Sequence, residues 1–572
     1  MGALCGILGR SDSIALNAMI DVLAPHAREM RCLEGSNYSV ASAYCSEDPL
    51  CLVDGETTDI NDAPLKPHEV HARCAKAKSP GTLAFRGGFA AVVSLSDGDR
   101  WWLLRDRLGR KPLYYYVGDN VLVFATELKA LLASGYVPRR LNLVAVDRYL
   151  TLRCVPGTES MVQGICRVRP GHVVEYASNR CSSTEFATFN MRTESLSRDE
   201  AARALRERLE KALGHTQSEL LLWSSGIDAA ALHALKPQLR PCFAVLERSW
   251  QDETRLAKES AKSLHIRMQT MQARRFTEET FFRCVACLDE PIADPLVFPL
   301  WLMTEAASDI GAHFLSGHGA DEVLGGYARY HFLQKAQEVE PLIPAGLLSN
   351  ITPSLPPNAF VRRTTRFLTS MRDPQRAYLS LLSVFDEGER EDLYTEAVKA
   401  ALYEFGPRKS TIQDHFNQED LTANVLSLDL HVGLPNILLA KCDRIAAAHG
   451  VTLSHPYLND SMLDFALSIP SDIKFGVRSK PLLRLAMKGI LPPSIRLRAR
   501  RDFKVPQSGN VLRVIETVTK ETITPDRVDA TGLFKWHAVE TILRSASHNV
   551  YRRRQFWALL MFFAWYRCTM ET

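Results

Sequence analysis

Two short stretches of the chain each place an aspartate a few residues after a run of apolar residues. In the first, the letters LLLW at 220–223 lead into SSGID, which ends at Asp228. In the second, FLSG leads into HGAD, which ends at Asp321. Each stretch alone is also typical of an ordinary strand-to-helix turn, but such turns present unpartnered backbone N–H groups to anions. Together, in one domain, the two turns predict a nucleotide site in which the two aspartates hold one divalent cation.

The elements that position these turns follow from the patterns around them. LLLW, CFAVLE and HFLSG are short apolar runs, and they alternate with helical patterns such as the one at 200–213. This alternation predicts an α/β domain with a doubly wound parallel sheet, in which ligands bind at the carboxyl ends of the strands. Residues 330–570 have mostly helical patterns, which predicts a helical extension of this domain.

The amino-terminal half has a different, β-rich pattern. The runs AAVVSL, WWLLRD, PLYYYV and VLVFAT are separated by the turn segments SDGD, LGRK and VGDN, which is typical of hairpins in a layer of antiparallel sheet. A polar stretch at 178–200 follows these runs. It predicts a boundary near residue 190, and therefore two domains, at 1–190 and 191–572.

The composition is that of a globular protein in a reducing, cytoplasmic compartment. Of the 572 residues, 46% are hydrophobic and 23% are charged, and the formal net charge of +4 indicates no arm for nucleic acid. The cysteines are scattered along the chain, which favours small buried thiols over a disulfide framework. The most apolar segment, 556–565, is too short to cross a bilayer, so we expect a buried terminal helix and no membrane partner.

Many motifs, in order along the chain, resemble those of the asparagine synthetase superfamily. The matching stretches include CGILG, FRGGFA, RDRLGRKPLYY, FATELKALL, SSGIDA, DEPIADP, LSGHGADEVLGGY, LPNILLAKCDRIAAAHG, HPYLND and KPLLRLA. The resemblance implies an α+β amino-terminal domain of the class II glutaminase type, with Ntn-hydrolase-like layers of β-sheet, and an α/β ATP-pyrophosphatase domain after it. It also implies ATP and Mg²⁺ as cofactors, adenylation of a substrate carboxylate, and attack of a nitrogen nucleophile on the adenylate.

The resemblance further implies which residues hold the nucleotide. The implied pyrophosphate loop comprises Ser224, Ser225, Gly226 and Asp228. The implied adenosine contacts are Leu222, Val245, Ser316 and Gly317. The implied Mg²⁺ ligands are Asp228 and Asp321. The loop departs from the family's Ser-Gly-Gly-x-Asp-Ser at Ser225 and Ala229, which narrows the approach to phosphate and removes a hydroxyl donor, so weaker ATP binding or a dead site is one expectation.

Two further positions differ where the family performs chemistry. Asparagine synthetases have Glu where this chain has His318, whereas related β-lactam synthetases have Tyr and some lasso-peptide cyclases have His. An imidazole can accept the proton of an attacking amine, so His318 is a candidate catalytic residue; the alternative is a turn histidine that contacts ATP or backbone. Arg500 aligns with a lysine that, in the family, lies over the negative charge that develops during the reaction. Arginine keeps the positive charge at this position, so Arg500 is a candidate catalytic residue.

The glutaminase-type half departs further from its family. A class II glutaminase uses a cysteine whose own free α-amine is the general base, but here Met-Gly-Ala-Leu precedes Cys5. The family's Asn-Gly-Glu reads Asp54-Gly55-Glu56, which replaces an oxyanion-binding amide by a repelling charge. We therefore expect Cys5 to be a buried thiol, and to be catalytic only if processing exposes it at the amino terminus.

These observations predict an ATP-dependent, AMP-forming ligase that makes amide bonds from an amine or ammonia, as cyclases and specialised-metabolite synthetases do. Its expected partners are small-molecule or peptide carboxylate and amine substrates. No nucleic-acid or membrane partner is expected, and the sequence leaves open whether the protein forms a homodimer. Two alternatives remain at this point. One is a glutamine-hydrolysing asparagine synthetase or amidotransferase, and the other is a non-catalytic scaffold that keeps the fold.

Overall fold

The structure is a computed structural model, and it describes all residues except 1–2, 25–28, 47–49, 96–97, 190–193, 217, 248–250, 340–372, 406–420, 501–508 and 572. The strands are β1 (Leu4–Leu8), β2 (Arg31–Gly35), β3 (Tyr38–Ser42), β4 (Cys45–Ser46), β5 (Cys51–Thr58), β6 (Arg86–Ser94), β7 (Arg100–Arg105), β8 (Tyr114–Gly118), β9 (Val121–Ala125), β10 (Ile165–Arg167), β11 (His172–Ala177), β12 (Arg180–Glu185), β13 (Leu220–Leu222), β14 (Arg240–Val245), β15 (Gln269–Gln272), β16 (His313–Leu315) and β17 (Thr452–Ser454).

Helices of the amino-terminal half are Ser13–Leu23, Pro67–Lys76, Leu128–Ala133 and Leu143–Leu152. Helices of the carboxy-terminal half are Arg198–Gly214, Ile227–Leu235, Gln251–Ser263, Glu278–Cys287, Val297–Ser308, Ala320–Val323, Ala328–Val339, Pro374–Leu382, Glu387–Leu393, Glu396–Glu404, Leu421–Leu428, the π-helical Asp429–Leu439, Ala440–Ala448, Asp460–Ser468, Ser471–Lys474, Pro481–Ala486, Pro493–Arg496, Gly509–Thr522, Pro525–Thr531, Trp536–Ser545 and Val550–Thr569. Single 3₁₀ turns lie at Pro80–Thr82 and Pro456–Leu458.

The amino-terminal domain has four layers. One antiparallel sheet has the order β10-β8-β9-β1-β3-β2 and the other has the order β12-β11-β7-β6-β5-β4. Alternation along β1 shows the layering, because Leu4 and Leu8 enter the core between the sheets, whereas Cys5 and Ile7 face the helix Ser13–Leu23. The helix Pro67–Lys76 covers the outer face of the second sheet. This helix–sheet–sheet–helix order confirms the predicted α+β, Ntn-hydrolase-like domain.

The predicted hairpin runs of this half form β6 to β9, as expected. Within the polar stretch at 178–200, residues Arg180–Glu185 form the edge strand β12. All six residues of this strand are exposed, so the strand lacks the apolar alternation by which half-buried strands are recognised. The predicted boundary near residue 190 adjoins 190–193, which lie outside the described residues.

The carboxy-terminal domain is built on one parallel sheet. Its order is β15-β14-β13-β16-β17, and every neighbouring pair is parallel. The central strands β13 and β16 are adjacent, with Leu220 opposite Phe314 and Leu221 opposite Leu315, so the turns that follow them lie at the same edge of the sheet. This confirms the predicted doubly wound sheet, and the helices after Ala328 form its helical extension.

The terminal apolar segment is a buried helix, as predicted. Residues Trp557 to Trp565 of Val550–Thr569 are all buried in the core. By length and composition, one other helical stretch, Asn424–Ala448, is apolar enough to span a membrane, but 67% of its most apolar window is buried inside the protein. It is therefore better explained as a core helix than as a span.

Ion pairs with little exposure join the two halves of the molecule. Lys111 of the amino-terminal half places its Nζ 2.6 Å from Asp443 Oδ1 of the other half and 3.5 Å from Asp54 Oδ1 of its own. Arg444 of the carboxy-terminal half lies 3.0 Å from Glu127 Oε1. Because a buried charge is costly unless it is paired, these contacts fix the two halves against each other.

Candidate active site

The turn after β13 carries the first aspartate. Gly226 is the N-cap of the helix Ile227–Leu235, and its N–H donates to Ser224 Oγ at 3.3 Å. Asp228 lies in the first turn of this helix, where a negative charge is favoured by the helix dipole. The Tyr457 hydroxyl donates to the backbone carbonyl of Asp228 at 3.0 Å and fixes the turn from the other side.

The turn after β16 carries the second aspartate, and glycines bring the two turns close together. A Cβ at Gly317 would lie 2.8 Å from Asp228 Cβ, and a Cβ at Gly326 would lie 1.7 Å from Asp321 Oδ1. Real Cβ atoms do not approach other atoms this closely, so both positions require glycine in this arrangement. Asp321 itself lies in the short helix Ala320–Val323.

A lysine that sequence reasoning did not single out joins the two carboxylates. Lys480 Nζ lies 2.5 Å from Asp228 Oδ2 and 2.8 Å from Asp321 Oδ1. Arg500, the candidate from sequence, contacts the same cluster from outside, with its Nε 3.4 Å from Asp321 Oδ1. The only signal for Lys480 was its place at the start of the matching stretch KPLLRLA, because its contact to Asp228 spans 252 residues.

The charges in this cluster shift one another's pKa. Burial raises the pKa of Asp228, although Lys480 opposes that effect. Burial lowers the pKa of Lys480, but the two carboxylates outweigh it and leave this pKa raised. For Asp321, burial raises the pKa, but Lys480 and Arg500 outweigh it and leave the pKa lowered. The cluster therefore keeps Lys480 and Asp321 charged.

The acidic pair also fits a magnesium ion. Asp228 Oδ1 is enclosed and accepts no hydrogen bond from the described residues, so one carboxylate oxygen is left over for a cation. No group of three or more His, Cys, Asp or Glu side chains is arranged for a metal in that part of the chain. A site with only two protein carboxylates is suitable for Mg²⁺, because this ion usually keeps waters and substrate phosphates as its other ligands.

The remaining nucleotide positions from sequence lie at the same edge of the sheet. Leu222 ends β13 and Val245 ends the neighbouring strand β14, so both reach the carboxyl edge. Ser225 follows Leu222 in the first turn, and its carbonyl accepts a hydrogen bond from the Arg498 guanidinium at 3.1 Å. Ser316 and Gly317 follow β16 beside them. The structure thus brings together the positions expected to hold the nucleotide.

His318 lies at the second turn and is neutral near pH 7. Its Nδ1 is 2.7 Å from Ser316 Oγ, which also accepts the backbone N–H of His318 at 3.2 Å. Burial, together with the nearby Lys441 ammonium, lowers the pKa of His318 to about 4. The imidazole is therefore uncharged near pH 7, and its lowered pKa makes it a weak base there.

Cys5 lies apart from this site, in the other domain. Its side chain is fully buried against the helix Ser13–Leu23, and burial raises its thiol pKa above the ordinary value. Asp54, which stands where the family has an oxyanion-binding Asn, is enclosed beside Lys111. A thiol that stays protonated is a poor nucleophile.

Comparison with known proteins decides the family. The profile of the family described as asparagine synthase matches residues 200–567, and that of a glutamine amidotransferase domain matches residues 73–187. The chain belongs to the asparagine synthase family. Membership makes it an ATP-dependent, amide-forming ligase with an amidotransferase-like amino-terminal domain.

Relatives of this family match over most of their length. The chain is 23% identical over 517 residues to asparagine synthetase [glutamine-hydrolyzing] 1 of Bacillus subtilis, covering 86% of this chain and 79% of that protein. It is 22% identical over 545 residues to a protein named amidase chry2 of Gibberella zeae, covering 81% of this chain and 76% of that one. The family therefore rests on the profile match over residues 200–567, and these relatives do not fix the substrate.

Proposed function

We propose that this asparagine synthase family member activates a substrate carboxylate as an acyl-adenylate, releases pyrophosphate, and then forms an amide with an amine or ammonia. The observation that carries the proposal is the contact of Lys480 with both Asp228 and Asp321 at the carboxyl ends of adjacent strands. This edge of a doubly wound sheet is where such folds bind ligands. We assign the adenylating domain to residues 191–572 and the amidotransferase-like domain to 1–190.

In this proposal the first turn binds the departing pyrophosphate. The small side chains of Ser224, Ser225 and Gly226 and the start of the helix Ile227–Leu235 offer N–H groups to phosphate. Asp228 and Asp321 hold Mg²⁺, which when bound neutralises phosphate charge. Lys480 contacts both acids and would supply positive charge to the phosphates beside them.

The second turn binds the reacting groups. Ser316 and Gly317 contact the adenosine part together with Leu222 and Val245, which end the two neighbouring strands. Arg500 lies over the cluster from outside, 5.0 Å from the Tyr327 ring centroid, and stabilises negative charge that develops during adenylation. His318 accepts a proton from the attacking nitrogen.

We further propose that the nitrogen does not come from glutamine. The buried Cys5 thiol, with its raised pKa, and the carboxyl of Asp54, which stands where the family has an oxyanion-binding Asn, both oppose glutamine hydrolysis. A family ligase without that activity takes an amine directly, and an amine within the same substrate gives ring closure. We therefore propose that the enzyme acts as a cyclase or specialised-metabolite synthetase.

Exchange of labelled pyrophosphate into ATP tests the adenylation step. The protein is incubated with ATP, Mg²⁺ and a panel of free amino acids and short peptides, and exchange that depends on one carboxylate supports the proposal. Asp228→Asn should abolish that exchange, whereas the exposed Lys488→Met should leave it unchanged. If no carboxylate supports exchange and no ATP binds, the adenylation proposal is wrong and a scaffold role is left.

A glutamine-hydrolysing synthetase is the second candidate, because the Bacillus subtilis relative carries that description and the amidotransferase profile matches residues 73–187. It requires Cys5 at the mature amino terminus. Intact-mass analysis of the protein purified from its natural host, combined with release of glutamate from glutamine, decides between the two candidates. Glutamate release that Cys5→Ala abolishes would favour the glutamine-dependent enzyme.

A further inference from the structure

Tyr327 stands next to Lys480 and Asp321 because the turn before it folds back onto both of them. Gly325 has a φ of 70°, a conformation that favours glycine. Its carbonyl accepts a hydrogen bond from the N–H of Lys480 at 3.3 Å, and the N–H of Gly326 donates to the carbonyl of Asp321 at 2.8 Å. Two consecutive residues thus tie this turn to the site, and Tyr327 follows them directly.

The ring of Tyr327 contacts two guanidinium groups. Arg500 Cζ lies 5.0 Å from the ring centroid, and Arg329 Cζ lies 3.9 Å from it. Each guanidinium also contacts a carboxylate, because Arg500 Nε is 3.4 Å from Asp321 Oδ1 and an Arg329 nitrogen is 2.6 Å from Asp429 Oδ2. A cation within about 6 Å of a ring centroid is attracted to the electron-rich face of the ring. The ring is therefore within reach of both cations.

The ring is itself held in place by other contacts. The Tyr327 hydroxyl donates to Oε1 of the buried Glu322 at 2.5 Å. Burial, together with the Glu322 carboxylate, raises the pKa of Tyr327 well above its ordinary value, so the hydroxyl keeps its proton and its hydrogen bond. Arg329 is fixed in turn, since its partner Asp429 also accepts a hydrogen bond from the Tyr378 hydroxyl at 2.9 Å. The ring therefore presents a defined surface to Arg500.

Arg500 needs such a surface for the role assigned to it above. Its side chain is long and 31% exposed, and a charge stabilises a transition state most when it is held in position before the reaction. Asp321 provides one contact, but the proposed function also assigns this carboxylate to Mg²⁺. The Tyr327 ring is uncharged and does not compete with a cation for Asp321. It can therefore hold the guanidinium at every stage of adenylation.

We propose that Tyr327 is a positioning residue for adenylation, and that the face of its ring holds the Arg500 guanidinium beside Asp321. The proposal rests on the adenylation function and the role of Arg500 proposed above. The ring and not the hydroxyl carries this role, so an aromatic side chain of the same size can replace Tyr327 and an aliphatic one cannot. Tyr327 acts through Arg500, so its effect on the reaction disappears when Arg500 lacks its guanidinium.

A cycle of single and double variants of the full-length protein tests the proposal. The variants are Tyr327→Leu, Tyr327→Phe, Arg500→Met and the double variant Tyr327→Leu with Arg500→Met. The matched control is Tyr403→Leu, because the Tyr403 side chain is 88% exposed. Pyrophosphate exchange is measured over a range of ATP concentrations with a carboxylate that supports it. Urea unfolding of the same proteins measures their stability without any substrate.

The expected result is a loss of rate that depends on Arg500. Tyr327→Leu should lower the maximal exchange rate about tenfold, which is within the range of one cation–π contact, whereas Tyr327→Phe should stay within about threefold of the unmodified protein. The KM for ATP should change by less than about twofold, because an interaction made in the transition state affects the rate and not ground-state binding. In the Arg500→Met background, Tyr327→Leu should cause no further loss of exchange and a smaller shift of the urea midpoint. Tyr403→Leu should match the unmodified protein.

Several results would overturn the inference. Losses of exchange that multiply in the double variant, or a loss in Tyr327→Phe as large as that in Tyr327→Leu, would assign Tyr327 a merely structural role. Full exchange by Arg500→Met, or equal urea shifts from Tyr327→Leu in both backgrounds, would also contradict it. If the unmodified protein shows no exchange with any carboxylate, the adenylation proposal itself is wrong. The urea cycle still tests the ring contact in that case, because it requires neither ATP nor a carboxylate.

Discussion

Removing the ammonium of Lys480 is the sharpest test of the acidic cluster. Lys480 is buried, with 4% of its side chain exposed, and it contacts two aspartates whose side chains are 20% and 25% exposed. Breaking a buried ion pair by removing one partner costs about 3–5 kcal/mol. Because the aspartates keep some contact with water, we expect Lys480→Met to lower the free energy of unfolding by about 3 kcal/mol, at the low end of that range.

The same substitution leaves the carboxylates of Asp228 and Asp321 without the cation between them. These two carboxylates then face each other with little solvent, so adding Asp228→Asn to Lys480→Met should restore stability instead of reducing it. We expect a coupling of at least about 1 kcal/mol between the two substitutions, which is typical of residues in contact. Lys480→Met should also reduce pyrophosphate exchange by at least about 100-fold, a loss typical of one preorganised charge donor.

Urea unfolding midpoints of the unmodified protein, the two single variants and the double variant provide the measurement. The exposed Lys488→Met is the matched control and should unfold like the unmodified protein. If Lys480→Met is as stable as the control, or if the two substitutions destabilise additively, the three side chains do not form the cluster described here.

Three further predictions concern other parts of the molecule. Gly317→Ala should reduce pyrophosphate exchange by at least about tenfold and destabilise the fold by about 1–3 kcal/mol, because the added Cβ would lie 2.8 Å from the Cβ of Asp228. The control is Gly214→Ala, which should be neutral in both assays because an added Cβ there meets no atom within 4 Å. Cys5→Ala should leave amide formation from free amine unchanged, and the native Cys5 thiol should not react with a disulfide reagent until the protein is unfolded. Because the pKa of His318 is lowered to about 4 in the fold, the unfolded chain binds its proton first as pH falls, so unfolding measurements between pH 6.5 and pH 4 should show a loss of stability that His318→Asn reduces.

The sequence was sufficient for the elements that have strong patterns. The central strands β13, β14 and β16 are buried apolar runs, and the motifs around Asp228 and Asp321 follow them directly. By contrast, β15 reads QTMQ with three of four residues exposed, and β17 reads TLS with no fully buried residue. Edge strands of this kind have neither an apolar run nor a clear alternation, so pattern analysis missed them.

The sequence predicted those parts of the site that belong to motifs next to a strand. The residues of the two turns were identified because each follows its own strand in the sequence. Lys480 enters the site from a distant segment, 252 residues along the chain from its partner Asp228. Its place in the stretch KPLLRLA marks it as part of a matching motif, but a lysine before Pro481 carries no local sign of that contact.

The ion pairs between the two halves of the molecule indicate what would happen to a chain that lost its amino-terminal half. If the amino-terminal half were deleted, Asp443 would lose Lys111 and Arg444 would lose Glu127, and among the described residues the two would keep only each other and Asp289 as charged partners at a newly exposed face. The amidotransferase-like half thus supplies charged partners to the ligase half, whatever its own chemistry. A shortened chain that lacks it should therefore be less stable than the full chain.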